Sequence, residues 1–126
     1  MTITAKLNKI APQFIVTDVV KAAEYYRDFL GFKILNYFLD PPVFALVERD
    51  GVEIHFGKSD TVDSKTNSAK RKVGYDAYIW TSDIDALFEE FKIKNVNIIE
   101  GPVKRQYGNR EIVIIDCNEF KIAFGD

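Results

Sequence analysis

The chain has 126 residues and a mass of 14.4 kDa, of which 47% are hydrophobic, 13% aromatic and 29% charged. That length makes one domain, and one able to bury a core without a disulfide or metal staple. Lys and Arg number 17 against 19 Asp and Glu, a net charge of −2 that lacks the basic excess of a nucleic-acid binder. No apolar run approaches the ~18 residues of a membrane span. Met1 to Asn8 has no signal-peptide core. The single Cys117 excludes an internal disulfide framework and a multi-cysteine zinc site. A cytoplasmic protein with neither nucleic-acid nor membrane partners is expected.

Along the chain, Ile10 to Val16 is rich in β-branched and aromatic residues and predicts a strand. Asp18 then offers a helix cap, and Val19, Ala22, Ala23, Tyr26, Phe29 and Leu30 fall on one helical stripe. Gly31 stands where a helix ends in a left-handed residue. Phe32 to Leu39 predicts a strand broken by Asp40-Pro41-Pro42. Val43 to Val47 and Val52 to Phe56 predict two more, joined at Asp50-Gly51.

The same order then returns. Tyr75 to Thr81 predicts a strand, Ser82 and Asp83 a cap, and Ile84, Leu87, Phe88 and Phe91 a helical stripe. Asn95 takes the place of Gly31. Val96 to Ile99, stopped by Gly101-Pro102, then Glu111 to Ile115 and Phe120 to Phe124, predict the last three strands. Val-Glu-Ile-His-Phe-Gly at 52–57 echoes Phe-Lys-Ile-Ala-Phe-Gly at 120–125. The expected organisation is one domain over 1–126, with a first βαβββ module at about 8–57, a solvated linker at 58–72 and a second module at about 73–126. The Lys70-Arg71-Lys72 run is expected to be solvated.

Val16-Thr17-Asp18, Tyr25-Tyr26-Arg27-Asp28-Phe29-Leu30-Gly31-Phe32 and Tyr107-Gly108-Asn109-Arg110-Glu111 carry a resemblance. With the doubled βαβββ order, the chain resembles the vicinal oxygen chelate superfamily of glyoxalases, extradiol dioxygenases, and fosfomycin and bleomycin resistance proteins. The resemblance spans nearly the whole chain, although Asp116-Cys117-Asn118-Glu119 departs from the family's Asp-Pro-x-Gly. It implies an α+β fold in which two tandem βαβββ modules with strongly curved mixed sheets form a concave cup.

Strand residues alternate sides. If Phe14, Val16, Val52, Ile54, Phe56, Ala77, Ile79, Phe120, Ile122 and Phe124 pack beneath the helices, the opposite, concave side collects Gln13, Glu53, His55, Asp76, Tyr78, Trp80 and Lys121. Tyr107 joins them as a stacking candidate. Such a gathering of polar and aromatic groups suits a ligand cup. Structural explanations stand beside this one. His55 bonding Asp76 or a backbone carbonyl, Glu53 pairing with Lys121, and Tyr78 and Trp80 packing in a subunit contact would each satisfy these groups without function.

Catalytic members of the family hold a divalent metal with four side chains. The resemblance places those positions at Ala11, about His55, Asp76 and Ala123. Two alanines leave fewer donors than a catalytic metal normally requires. A shifted set of Gln13, Glu53, His55 and Asp76 is the alternative. No triad surrounds the lone histidine, and no glycine-rich phosphate loop is present. The expectation is a metal-free, cofactor-free, non-enzymatic homodimer resembling the bleomycin resistance proteins, which sequesters a planar, cationic small molecule in a dimer cleft. The ligand-binding candidates are Gln13, Glu53, His55, Asp76, Tyr78, Trp80, Tyr107 and Lys121. The alternatives are a metal-dependent lyase or dioxygenase using the shifted ligands, and a binding module for an endogenous metabolite.

Overall fold

The computed structural model describes residues 3–61 and 72–126. The chain order is β1 (Gln13–Val16), α1 (Val19–Phe29), β2 (Lys33–Phe38), β3 (Phe44–Arg49), β4 (Val52–Lys58), β5 (Ala77–Trp80), α2 (Ile84–Ile93), β6 (Ile98–Lys104), β7 (Arg110–Ile115) and β8 (Lys121–Gly125). The expected βαβββ order occurs twice in this α+β fold. Most of the linker, and Lys70 and Arg71 of the basic run, lie outside the described residues.

Both helices begin at a side-chain cap. The Asp18 carboxylate accepts the N–H groups of Val20 and Lys21, and that of Asp83 accepts the N–H of Ala86. Both end beside a left-handed residue, Gly31 at φ 77° and Asn95 at φ 60°. The apolar stripe buries Val19, Ala22, Ala23 and Tyr26 from α1, and Ile84, Leu87 and Phe91 from α2.

Each module forms a four-stranded mixed sheet, in the order β1-β4-β3-β2 and β5-β8-β7-β6. β1 runs parallel to β4 and β5 parallel to β8, while the other pairs are antiparallel. Neither sheet closes into a barrel.

Two strand boundaries differ informatively from expectation. β1 starts at Gln13, because Pro12 has no N–H to give and contributes only its carbonyl, to His55 N. β6 continues through Gly101-Pro102 instead of stopping there. It is the edge strand of its sheet, where a missing N–H is tolerated, and its register slips twice between Ile98 and Val103. Gly101 is required at that slip. Its φ is 99°, and a Cβ there would lie 2.2 Å from the carbonyl oxygen of Glu111.

The helix-covered faces of the two modules merge into one core. Phe14 of the first stacks on Phe120 of the second, with ring centroids 4.1 Å apart. Two polar contacts bind the modules at related places. The β7–β8 turn offers Asp116, which is buried and accepts the hydroxyl of Tyr26 on α1 at 2.6 Å. The β3–β4 corner offers Arg49, which donates to both carboxylate oxygens of Glu90 on α2 at 2.7 and 2.9 Å, and to the Leu30 carbonyl. The other Asp116 oxygen accepts the N–H groups of Asn118 and Phe120, shaping the turn. Burial pushes the Asp116 carboxyl up despite these bonds, and burial beside Asp116 pushes the Tyr26 phenol up further.

Tyr26→Phe leaves a buried carboxylate oxygen without its donor. It is expected to lower stability by roughly 1–3 kcal/mol in urea unfolding. Combined with Asp116→Asn it should cost less than the sum of the two single changes, because both remove one contact.

Candidate functional site

The merging of the helix-side cores leaves the open faces on two separate sheets. The eight candidate residues therefore do not form a single cup within one chain. Gln13, Glu53 and His55 belong to the first sheet, and Asp76, Tyr78, Trp80, Tyr107 and Lys121 to the second or its loops. Among the described residues, no hydrogen bond or ion pair joins the two groups.

On the first sheet, Gln13 and His55 are register partners. His55 Nε2 lies 2.9 Å from Glu53, and Glu53 also pairs with Lys9. These two partners hold the Glu53 carboxyl below its ordinary range. Both expected structural pairings are thus replaced: the His55 partner is Glu53 rather than Asp76, and the Glu53 cation is Lys9 rather than Lys121. The i, i+2 spacing puts Glu53 and His55 on one side of one strand, which made this contact available from sequence. Ile15, Leu35, Phe38 and Phe44 are exposed on β1, β2 and β3 of the same sheet.

The second sheet is built around an acid that the sequence reading did not single out. Glu111, near the start of β7, is fully buried. Its Oε1 accepts Arg105 Nε at 2.7 Å, and its Oε2 accepts the Tyr78 hydroxyl at 2.6 Å and the Tyr107 hydroxyl. Arg105 also pairs with Glu100 and donates to the Tyr75 hydroxyl at 3.3 Å. Asn109 Nδ2 donates to the Tyr78 oxygen at 3.1 Å. Burial pushes the Glu111 carboxyl up, but the bonds from Arg105, Tyr107 and Tyr78 outweigh it and hold the group below its ordinary range. The hydrogen bond to Glu111 in turn pushes the Tyr107 phenol up to about 12.

Local backbone chemistry places these groups. Ala123, Tyr78 and Val113 share one cross-strand row, and Gly125 and Glu111 the next. Gly125 leaves room for the Tyr78 hydroxyl, which lies 2.0 Å from where a Cβ would stand. The loop carrying Tyr107 closes through Arg105 N to Asn109 O and Gly108 N to Arg105 O, with Gly108 at φ 102°. Arg110 fixes the far end through Asp85 at 2.8 Å. Trp80 sits with its ring 4.7 Å from that of Tyr78 and remains 70% exposed, and Tyr107 is 65% exposed. Asp76 accepts the backbone N–H of Lys121 at 2.8 Å.

Two clefts adjoin this face. One of about 410 Å³ is lined by Tyr75, Glu100, Arg105, Val113 and Lys121. The other, about 340 Å³, follows the seam between modules over Leu30, Phe32, Leu87, Phe91 and Phe124, with Trp80 at its rim. The seam cleft is more enclosed and more apolar, but the titratable groups concentrate on the first.

The metal positions implied by the family resemblance do not fit a metal ion. Ala11 and Ala123 have no side-chain donor atom, which leaves only His55 and Asp76, each with partners of its own. Within one chain the shifted set is divided between the two sheets. Among the described residues, no group of three or more His, Cys, Asp or Glu side chains is placed to hold a metal.

Glu111→Gln removes the charge opposite Arg105 and should destabilise the chain by roughly 3 kcal/mol at neutral pH. Because the folded value of Glu111 is depressed, its contribution is present above the ordinary carboxylate range, about 4.3. It is lost as pH falls through the folded value, since the unfolded chain takes up the proton first. Urea unfolding at a series of pH values should show the difference between wild type and Glu111→Gln shrinking in that window. The comparison cancels the opposite pH dependence of the raised Asp116, which both proteins share.

Comparison with known proteins follows the same lines. The family model described as the Glyoxalase/Bleomycin resistance protein/Dioxygenase superfamily matches residues 6–124. No curated protein sequence matches the chain. Among solved structures, a member of that superfamily from Sphaerobacter thermophilus superposes with a TM-score of 0.74 at 21% identity, covering 95% of this chain and 97% of the other. A bleomycin resistance determinant encoded on the transposon Tn5 gives 0.75 at 13% identity, with 95% and 98% covered. A bleomycin-binding protein complexed with bleomycin gives the same values. These structures share the fold, and the family match spans nearly the full length: the chain belongs to the glyoxalase/bleomycin resistance protein/dioxygenase superfamily.

Proposed function

We propose that the chain is a metal-free binding protein that holds a planar, cationic small molecule in a cleft completed by a second copy of itself, in a reducing cytoplasm. The observation that carries this reading is the aromatic platform of Tyr78 and Trp80, 4.7 Å apart and flanked by Tyr107 over a buried carboxylate. An exposed indole beside two phenols is a stacking surface for a flat ring, and its π-faces favour a cation. The bleomycin-complexed protein of the same fold lends support for a small-molecule ligand. The two alanines at the family's metal positions favour binding over metal-assisted chemistry.

A second copy is the natural complement. Each chain exposes apolar residues on the first sheet, Ile15, Leu35, Phe38 and Phe44, and aromatic ones on the second, Trp80 and Tyr107. A two-fold pairing of the first sheet of one copy with the second sheet of the other would cover both sets twice. Gln13, Glu53 and His55 would then face Asp76, Tyr78, Trp80, Tyr107 and Lys121 across one cleft.

The tryptophan is single, so its fluorescence reports this site without ambiguity. Titration with bleomycin-type glycopeptides and other planar cations should quench or shift it, with neutral aromatics as controls. Trp80→Ala should weaken binding by about one to two orders of magnitude. An unchanged affinity in Trp80→Ala would remove the platform from the site. Light scattering is expected to give a dimer, and elemental analysis of dialysed protein no stoichiometric divalent metal. One equivalent of metal per chain would overturn the metal-free reading.

A further inference from the structure

The proton positions around Glu111 carry a further consequence, which rests on the planar-ligand reading above. Glu111 is a carboxylate, held below its ordinary range by its partners, so it has no proton to give. Every group bonded to it is therefore a donor. A phenol has one proton, and both Tyr78 and Tyr107 spend theirs on Glu111 Oε2. What remains on each oxygen is acceptor capacity. On Tyr78 it is already used by Asn109 Nδ2 at 3.1 Å, while no donor among the described residues reaches the Tyr107 oxygen. The nearby guanidinium of Arg105 turns its Nε to Glu111 and its Nη2 to Glu100 and Tyr75, and makes no hydrogen bond to the Tyr107 oxygen. Tyr107 is also the more exposed of the two phenols and borders the stacking platform.

We infer that Glu111 turns Tyr107 into an obligate hydrogen-bond acceptor at the edge of the platform, so that the site selects planar ligands carrying N–H donors on their rim. Glu111 acts as a positioning residue and Tyr107 as the specificity-determining one. A planar cation whose nitrogens are fully alkylated stacks equally well but leaves the Tyr107 oxygen unpaired. A planar cation with primary amino groups satisfies it. Discrimination arises from that one unmade bond, as in any site built to pair a ligand N–H.

The matched probes are proflavine and acridine orange, each methylated at the ring nitrogen so that neither keeps a ring N–H. Both are flat acridinium cations, but the exocyclic amines are primary in the first and dimethylated in the second. Dye fluorescence anisotropy is expected to show wild type binding the primary diamine about tenfold more tightly, the effect of one hydrogen bond. In Tyr107→Phe, which keeps the ring and loses the oxygen, the two affinities should converge. Glu111→Gln presents an amide N–H to the phenols and frees a phenol proton to turn outward. It should likewise erase or reverse the preference, provided circular dichroism shows the variant folded; Tyr107→Phe decides the matter if it is not. Equal affinities in wild type, or a preference that survives Tyr107→Phe, would overturn the inference and leave the planar-ligand reading standing. Failure of wild type to bind either dye, with Trp80 fluorescence unmoved, would overturn both.

Discussion

The buried hydrogen bond from Tyr26 to Asp116 joins two modules that share no strand. Each module has one helix lying on one face of a four-stranded sheet. A single helix cannot cover such a face: Phe56 packs on Tyr26 and Phe124 on Phe91 of their own helices, while Phe14 and Phe120 need a second apolar layer. The other module supplies it. Tyr26 and Asp116 fix the register of that contact from one side, and Arg49 with Glu90 fixes it from the other. The two clasps occupy related places in the repeat, a strand–strand turn of one module reaching the helix of the other. A unit repeated within one chain and packed against its own copy can place related contacts twice.

That packing has a functional consequence. With the helix sides turned toward each other, the two open faces are left for other partners. Ile15, Leu35, Phe38 and Phe44 are exposed on the first of those faces and Trp80 on the second. The second face is the more elaborate. A buried acid would be costly there by itself, since desolvation disfavours its charge. Arg105 and two phenols offset that cost and are themselves held in place. The result is a row of rings, two of them tied by hydrogen bonds to one buried carboxylate.

The fold was legible in the sequence because it is written locally and twice. Asp18 and Asp83 cap their helices, Gly31 and Asn95 end them, and the period-two strands follow in the same order each time. The strand ends were less legible. Pro12 falls inside an expected strand and Gly101-Pro102 reads as a breaker, yet β1 begins only after Pro12, whereas β6, an edge strand, carries Pro102 through its register slip. Tyr78 and Trp80 were placed on one side by alternation, and they do lie together. Glu111 is inconspicuous in the sequence, because its neighbours Arg110 and Ile112 make it look like a strand's polar first residue. Its partners Tyr78 and Arg105 come from other elements. The one available signal was its position directly after Tyr107-Gly108-Asn109-Arg110 in the stretch that carries the family resemblance.

By itself, the sequence determined the elements, their doubled order and the side of each strand that meets a helix, because capping, turn chemistry and alternation act over a few residues. Tertiary structure alone decided which groups meet. The eight candidate residues share a side in each module, but the joining of the helix-side cores sends them to two sheets. His55 found Glu53 rather than Asp76, Glu53 found Lys9, and Glu111 became the centre of the second face. Contacts between side chains far apart in the chain depend on how the two modules pack. That packing is governed by the shape of a shared core, which no local pattern records.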